Sequence, residues 1–73
     1  MNALHTTNGK VSLAAARRAA GLSQRMLAVK SLMQPERIGQ IESGCCKAYP
    51  TYRRNIISVL GPALGIAENQ IDW

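Results

Sequence analysis

Seventy-three residues are enough for one domain, and a chain of this size buries only about 60% of the surface that its unfolded form exposes. Apolar residues make up 47% of the chain, but aromatics only 4% and there is no Phe, so the core has to be built from Leu, Ile, Val, Met and Ala. That mixture favours helices packed on helices, and the length leaves no room for a deep catalytic pocket. The net charge is +5: all nine Lys and Arg lie in residues 1–66 with only Glu36 and Glu42, while residues 67–73 carry Glu68 and Asp72. A small, strongly basic domain attracts polyanions, of which nucleic acid is the commonest; the competing reading is a basic surface that serves solubility.

Several classes are excluded at once. No run approaches the roughly 18 apolar residues that span a bilayer, and Met1–Lys10 has no apolar segment of the kind a secretory signal carries. Cys45 and Cys46 are adjacent, whereas useful disulfides close longer loops, and with the sole His at position 5 they cannot supply zinc-ligand spacing. These residues predict a cytoplasmic protein with reduced cysteines, no metal and no cofactor. No nucleophile–base pair is suggested, so an enzyme is not expected.

In chain order, residues 1–10 are polar and without periodicity and read as a flexible arm; His5 and Lys10 there are candidates for reaching a minor groove. The domain then runs from 11 to 73. Ser12 caps a first helix rich in Ala and Arg, which stops at Gly21, a residue suited to left-handed backbone. Ser23 caps a second helix from Gln24 to about Lys30, with Leu27 and Ala28 inward. Ser31–Gln34 is a turn, because Pro35 forbids a helix running through it and opens the next one instead. That third helix reaches Ser43, is closed by Gly44, and turns Ile38 and Ile41 inward. A loop, Cys45–Pro50, carries Lys47 and Tyr49. Thr51 caps a fourth helix that reaches Leu60, with Ile56, Val59 and Leu60 inward, and Gly61-Pro62 breaks it. A short fifth segment ends in Ile71-Asp72-Trp73. The expected fold is an all-α domain of five helices with no strand, and Met26 and Met33 read as core or turn packing.

The second and third helices, about residues 23–43, are short and closely joined: a helix-turn-helix, in which the second member fits the DNA major groove. Leu22-Ser23-Gln24, Ala28, Ile38 and Ile41-Glu42-Ser43-Gly44, at their spacing, resemble the lambda-repressor/Cro-like (Xre-type) transcription regulators. With the flanking helices the resemblance covers roughly residues 11–73, nearly the whole chain. It gives each matching residue a job. Ala28 is small where the two helices cross, Ile38 and Ile41 plug the third helix into the core, and Gly44 ends it. Arg17 and Glu42 stand where family members place a structural ion pair, which is not a DNA contact.

Gln34, Glu36, Arg37 and Gln40 have side chains that suit base edges, and Gly39 leaves bare backbone beside them. The resemblance implies base contacts at Gln34, Pro35, Glu36 and Gln40, with Arg37 alternatively on a phosphate. Gln24, at the start of the second helix, suits a phosphate, and the resemblance implies that it also braces the reading helix. Arg25, Lys47, Tyr49, Arg53 and Arg54 are further phosphate candidates. The chain departs from the family pattern in two places. Leu32 replaces the usual turn Gly and Ser31 the usual apolar residue before it, which suggests a reshaped turn with Leu32 taking over the core role. The stretch from Pro50 to Gly65 is longer than usual, so the fourth helix should end differently.

The leading function is a sequence-specific regulator of double-stranded DNA, a Cro-like repressor of phage or mobile-element type. It would act as a homodimer on a partly palindromic operator, with Ile71 and Trp73 as candidate dimer contacts. The alternatives are an antitoxin-like or adaptor module that binds protein through its C-terminal face, and a DNA-bending excision or architectural factor.

Overall fold

The computed structural model describes residues 6, 7 and 9–73. The element order is β1 (Thr6–Thr7), β2 (Lys10–Ser12), α1 (Leu13–Ala19), α2 (Gln24–Lys30), α3 (Pro35–Ser43), α4 (Pro50–Leu64), a 3-10 turn (Glu68–Gln70) and β3 (Ile71–Asp72). The fold is mainly helical, with the helix-turn-helix in place, but it departs from five helices and no strand. The last segment is a single 3-10 turn, in which the Ala67 N–H donates to Gln70 Oε1 at 2.7 Å. The chain then extends, and Ile71 pairs in parallel with Val11, and Asp72 with Ser12.

The expected arm over 1–10 is corrected in its described part: Thr6 and Thr7 pair antiparallel with Val11 and Lys10. Residues 1–5 and 8, His5 among them, lie outside the described residues. The sheet order β1-β2-β3 thus joins the two ends of the domain. Val11 and Ile71 are both buried, so the ladder is a patch of core as well as a set of hydrogen bonds.

The helix boundaries follow local chemistry. Ser12 Oγ accepts the Ala15 N–H at 3.1 Å and Ser23 Oγ accepts the Met26 N–H at 3.0 Å, so both serine caps form as read. Gly21, at φ 74°, lets the chain leave α1: its own N–H reaches the Arg18 carbonyl and the Leu22 N–H the Arg17 carbonyl. The same pair of bonds ends α2, where the Leu32 N–H reaches the Val29 carbonyl and the Met33 N–H that of Ala28. The turn is therefore not reshaped, and Leu32 occupies the glycine position at φ 59°. Left-handed backbone costs a leucine about 1–2 kcal/mol. Nor does Leu32 take over a core role, since it is 90% exposed. Ser31 is the buried residue, and its hydroxyl donates to the Leu27 carbonyl one turn back, which removes the penalty for burying it.

The fourth helix starts two residues earlier than expected, with Tyr49 at the cap and Pro50 in the first turn, and it runs through Gly61-Pro62 to Leu64. Pro62 is exposed and lies in the last turn, and Gly65, at φ 68°, provides the actual stop. Gly61 eases the turn there: a Cβ on it would sit 3.2 Å from the Ile66 carbonyl oxygen, a tight contact at the helix end.

The core lies between α1, α2, α3 and α4, closed by the sheet. Leu27, Ile38, Ile56 and Leu60 are fully buried, and Ala16 and Ala28 fill the places where helices approach closely. Ile38 and Ile41 fix the roll of α3 about its axis, which decides what that helix shows to solvent.

Candidate nucleic-acid interface

With Ile38 and Ile41 inward, the 3.6-residue period puts Glu36, Gln40 and Ser43 on the opposite, exposed stripe of α3. Gln34 caps the helix without a side-chain cap bond, leaving its amide free to point outward, and Pro35 follows it, also exposed. These residues form a polar ridge on one face of an α-helix, an element that a major groove admits. Ser43 was missed by the sequence reading, though its place three residues after Gln40 puts it on the same stripe; its hydroxyl donates to the Gln40 carbonyl at 3.2 Å.

The two flanks of the ridge are held differently. On the α2 side, Gln24 Nε2 donates to Glu42 Oε1 at 3.0 Å. Its amide also lies over Gly39, whose missing side chain would meet Gln24 Oε1 at 3.6 Å. Gly39 therefore faces α2, and the expectation that its bare backbone faces the groove is corrected: the inward roll of Ile38 and Ile41 turns position 39 aside. Gln24 braces the two helices of the motif, with its second amide hydrogen free at the exposed start of α2.

Glu42 is in turn gripped by Arg17, whose Nε and Nη2 donate to its two oxygens at 2.7 and 3.3 Å. Arg17 Nη1 goes to the Leu22 carbonyl at 2.9 Å. Both side chains are over nine-tenths buried. Burial pushes the Glu42 carboxyl up, but the hydrogen bonds from Arg17 and Gln24, with the charges of Arg17 and Arg18, outweigh it and hold the group below its usual range.

On the α4 side, Arg37 is half-buried. Its Nη1 donates to Cys46 Sγ at 3.3 Å, and its guanidinium lies 5.4 Å from the centre of the Tyr52 ring. Tyr52 meets Tyr49 edge-on, with ring centres 6.0 Å apart. Arg37 therefore stands beside the ridge, in a position suited to a phosphate at the groove wall. Cys46 and Tyr52 were not singled out as its partners; they lie nine and fifteen residues away, beyond any local spacing rule. Both cysteines are free. A cleft of about 240 Å³ opens here, lined by Leu32, Met33, Gln34, Arg37, Tyr52 and Asn55.

Among the other phosphate candidates, Arg25, Lys47, Tyr49 and Arg54 are exposed. Arg53 is not free in the same way: its Nε donates to the Ala48 carbonyl at 2.7 Å and its guanidinium lies over the Trp73 ring. Trp73 is half-buried, with Nε1 donating to the Glu68 carbonyl at 3.1 Å. Ile71 is corrected as a dimer contact, because it is 1% exposed and belongs to the core of the monomer. Met26 is 49% exposed and does not serve as core packing, whereas Met33 packs against the core.

The helix-turn-helix family model matches residues 13–54, more than half of the chain, from the start of α1 into α4. The chain belongs to that family, in its lambda-repressor/Cro-like branch. No curated protein and no solved structure matches the chain significantly. As a helix-turn-helix protein it is a DNA-binding transcription regulator, and α3 is the second helix of its motif, the one that enters the major groove in helix-turn-helix proteins generally. Among the described residues, no helix is long and apolar enough to cross a membrane, and no three His, Cys, Asp or Glu cluster as a metal site would need.

Proposed function

We propose that this helix-turn-helix protein is a sequence-specific repressor of the Cro-like, phage or mobile-element type. It acts without enzymatic activity or a cofactor, in the cytoplasm, as a homodimer on a partly palindromic operator. One observation carries the reading: Gln34, Glu36 and Gln40 form an exposed polar ridge opposite two buried isoleucines, flanked by a brace on one side and a held arginine on the other. Gln pairs bidentately with adenine and Glu accepts from cytosine, so the ridge suits a short, defined run of bases. One helix reads only a few base pairs, and two half-sites about one helical turn apart supply the remaining specificity.

The test is selection of bound sites from a random duplex library, followed by titration of the selected site across salt concentrations. A short palindrome bound about a thousandfold more tightly than random DNA is the expected result. Weak binding that falls steeply with salt and ignores sequence would leave only the charge term and remove the repressor reading.

A second reading, an antitoxin-like or adaptor module, is favoured by the exposed Met26 and Val29 on α2, between Arg25 and Lys30. It moves the protein-binding surface to α2, because Ile71 at the C-terminal end is committed to the core. A stable complex that depends on Met26 and not on Gln40 would favour it.

A further inference from the structure

Leu32 is the one residue other than glycine among those described with a positive φ, 59°, and it is also the most exposed large apolar residue, at 90%. Its side chain contributes nothing to closing the turn, because the two bonds that end α2 come from the backbone N–H groups of Leu32 and Met33. Glycine would make the same bonds without strain, and leucine here costs about tenfold in the folding equilibrium. A strained residue kept against the interest of the fold points to a use for its side chain elsewhere.

Its position says where. Leu32 lines the same cleft as Gln34 and Arg37, three residues before the reading helix begins, and no acidic residue lines that cleft. An apolar side chain at this place, in one cleft with a residue suited to bases and one suited to phosphate, would meet the carbon surface of a duplex. We propose that Leu32 is a DNA-contacting residue, held outward by left-handed backbone so that it packs on an apolar part of the DNA beside the bases read by Gln34. Two parts of the duplex offer that chemistry, the 5-methyl group of thymine and the deoxyribose carbons. The inference rests on the regulator reading above.

The test uses the whole chain and the site selected by it. Binding of wild type and of Leu32→Met, Leu32→Ala and Leu32→Gly is titrated at several salt concentrations, and each variant's thermal unfolding is recorded. Leu32→Ala and Leu32→Gly should each bind about tenfold more weakly, as the loss of a partly buried leucine implies, while Leu32→Met keeps most of the affinity. The salt slope should stay unchanged, since no phosphate contact is lost. Leu32→Gly should melt higher than wild type while binding worse.

Replacing thymines of the site one at a time by deoxyuridine separates the two sources. A replacement that weakens wild type but not Leu32→Ala identifies a methyl contact, and the absence of any such position assigns the contact to deoxyribose. A Leu32→Ala variant that binds the selected site as wild type does overturns the contact and leaves the regulator reading standing. So does weakening confined to Leu32→Gly, which would report a loosened turn. A wild-type chain that selects no site overturns the regulator reading and the leucine contact together.

Discussion

Arg17 and Glu42, twenty-five positions apart, meet side-on with Nε to Oε2 at 2.7 Å, and so tie the first helix of the domain to the end of the reading helix. Each is more than nine-tenths buried, and the free donor of Arg17 and the second oxygen of Glu42 are also used. A pair with complete hydrogen bonding adds little over apolar residues of the same volume, but breaking it strands a buried charge. Glu42→Ala should therefore cost about 3 kcal/mol or more, a large part of the stability of a domain this small. The double variant Arg17→Met with Glu42→Leu should recover most of that loss. Urea unfolding of the two variants and wild type checks both statements, and equal destabilisation of the single and double variants would contradict them.

The same pair sets a pH dependence. The folded Glu42 carboxyl sits below its ordinary value, so as pH falls the unfolded chain takes up its proton first. The stability that Glu42 contributes is complete above the unfolded carboxylate value of about 4.3 and is lost as pH falls through the lower folded value. Melting temperature should stay level from neutral pH to about 5 and then decline. Glu42→Gln should lower the plateau and flatten this part of the decline, measured in parallel thermal scans.

What could be read from the sequence was what local chemistry determines. The serine caps, the left-handed glycines at 21 and 44 and the inward isoleucines of α3 each depend on neighbours within a turn, and the structure has them where the residues place them. The outward ridge follows from those isoleucines, so Gln34, Glu36 and Gln40 were legible too. Several of the misses depend on partners far along the chain. Val11 and Ile71 pair across sixty residues, and strands of two or three residues leave no period to detect. Pro62 was read as a stop because it lacks an N–H, but in an exposed last turn that loss is tolerable and Gly65 ends the helix instead. By sequence Arg37 suits either a base edge or a phosphate, and Cys46 and Tyr52, from the next loop and helix, hold it beside the ridge.

Gly39 offers a stabilising substitution. It lies inside α3 with no positive φ, and an added Cβ would meet the Gln24 amide at ordinary contact distance, 3.6 Å. Gly39→Ala should therefore raise stability by about 0.5–1 kcal/mol, through reduced freedom of the unfolded chain and better helix propensity. The gain should appear as a higher urea midpoint with an unchanged slope. A lower midpoint would mean that the brace between Gln24 and Glu42 cannot accept even a methyl group.

The interface predicts two kinds of defect that a single affinity value would not separate. Gln40 stands on the ridge, opposite the buried isoleucines, where its amide can meet a base edge. Gln40→Ala should cost about 1–3 kcal/mol at the selected site, relax one position in each half-site, and leave binding to random DNA nearly unchanged. Arg54 is exposed on α4, away from that stripe, and is free of the contacts that occupy Arg53. Arg54→Ala should weaken specific and random DNA alike and reduce the slope of log affinity against log salt by about one. Titrating both variants against the selected site and a scrambled duplex at three salt concentrations distinguishes the two patterns. If Gln40→Ala weakened both duplexes equally, α3 would be lying along the backbone instead of in the groove, and the ridge would have to be reassigned from reading bases to holding phosphates.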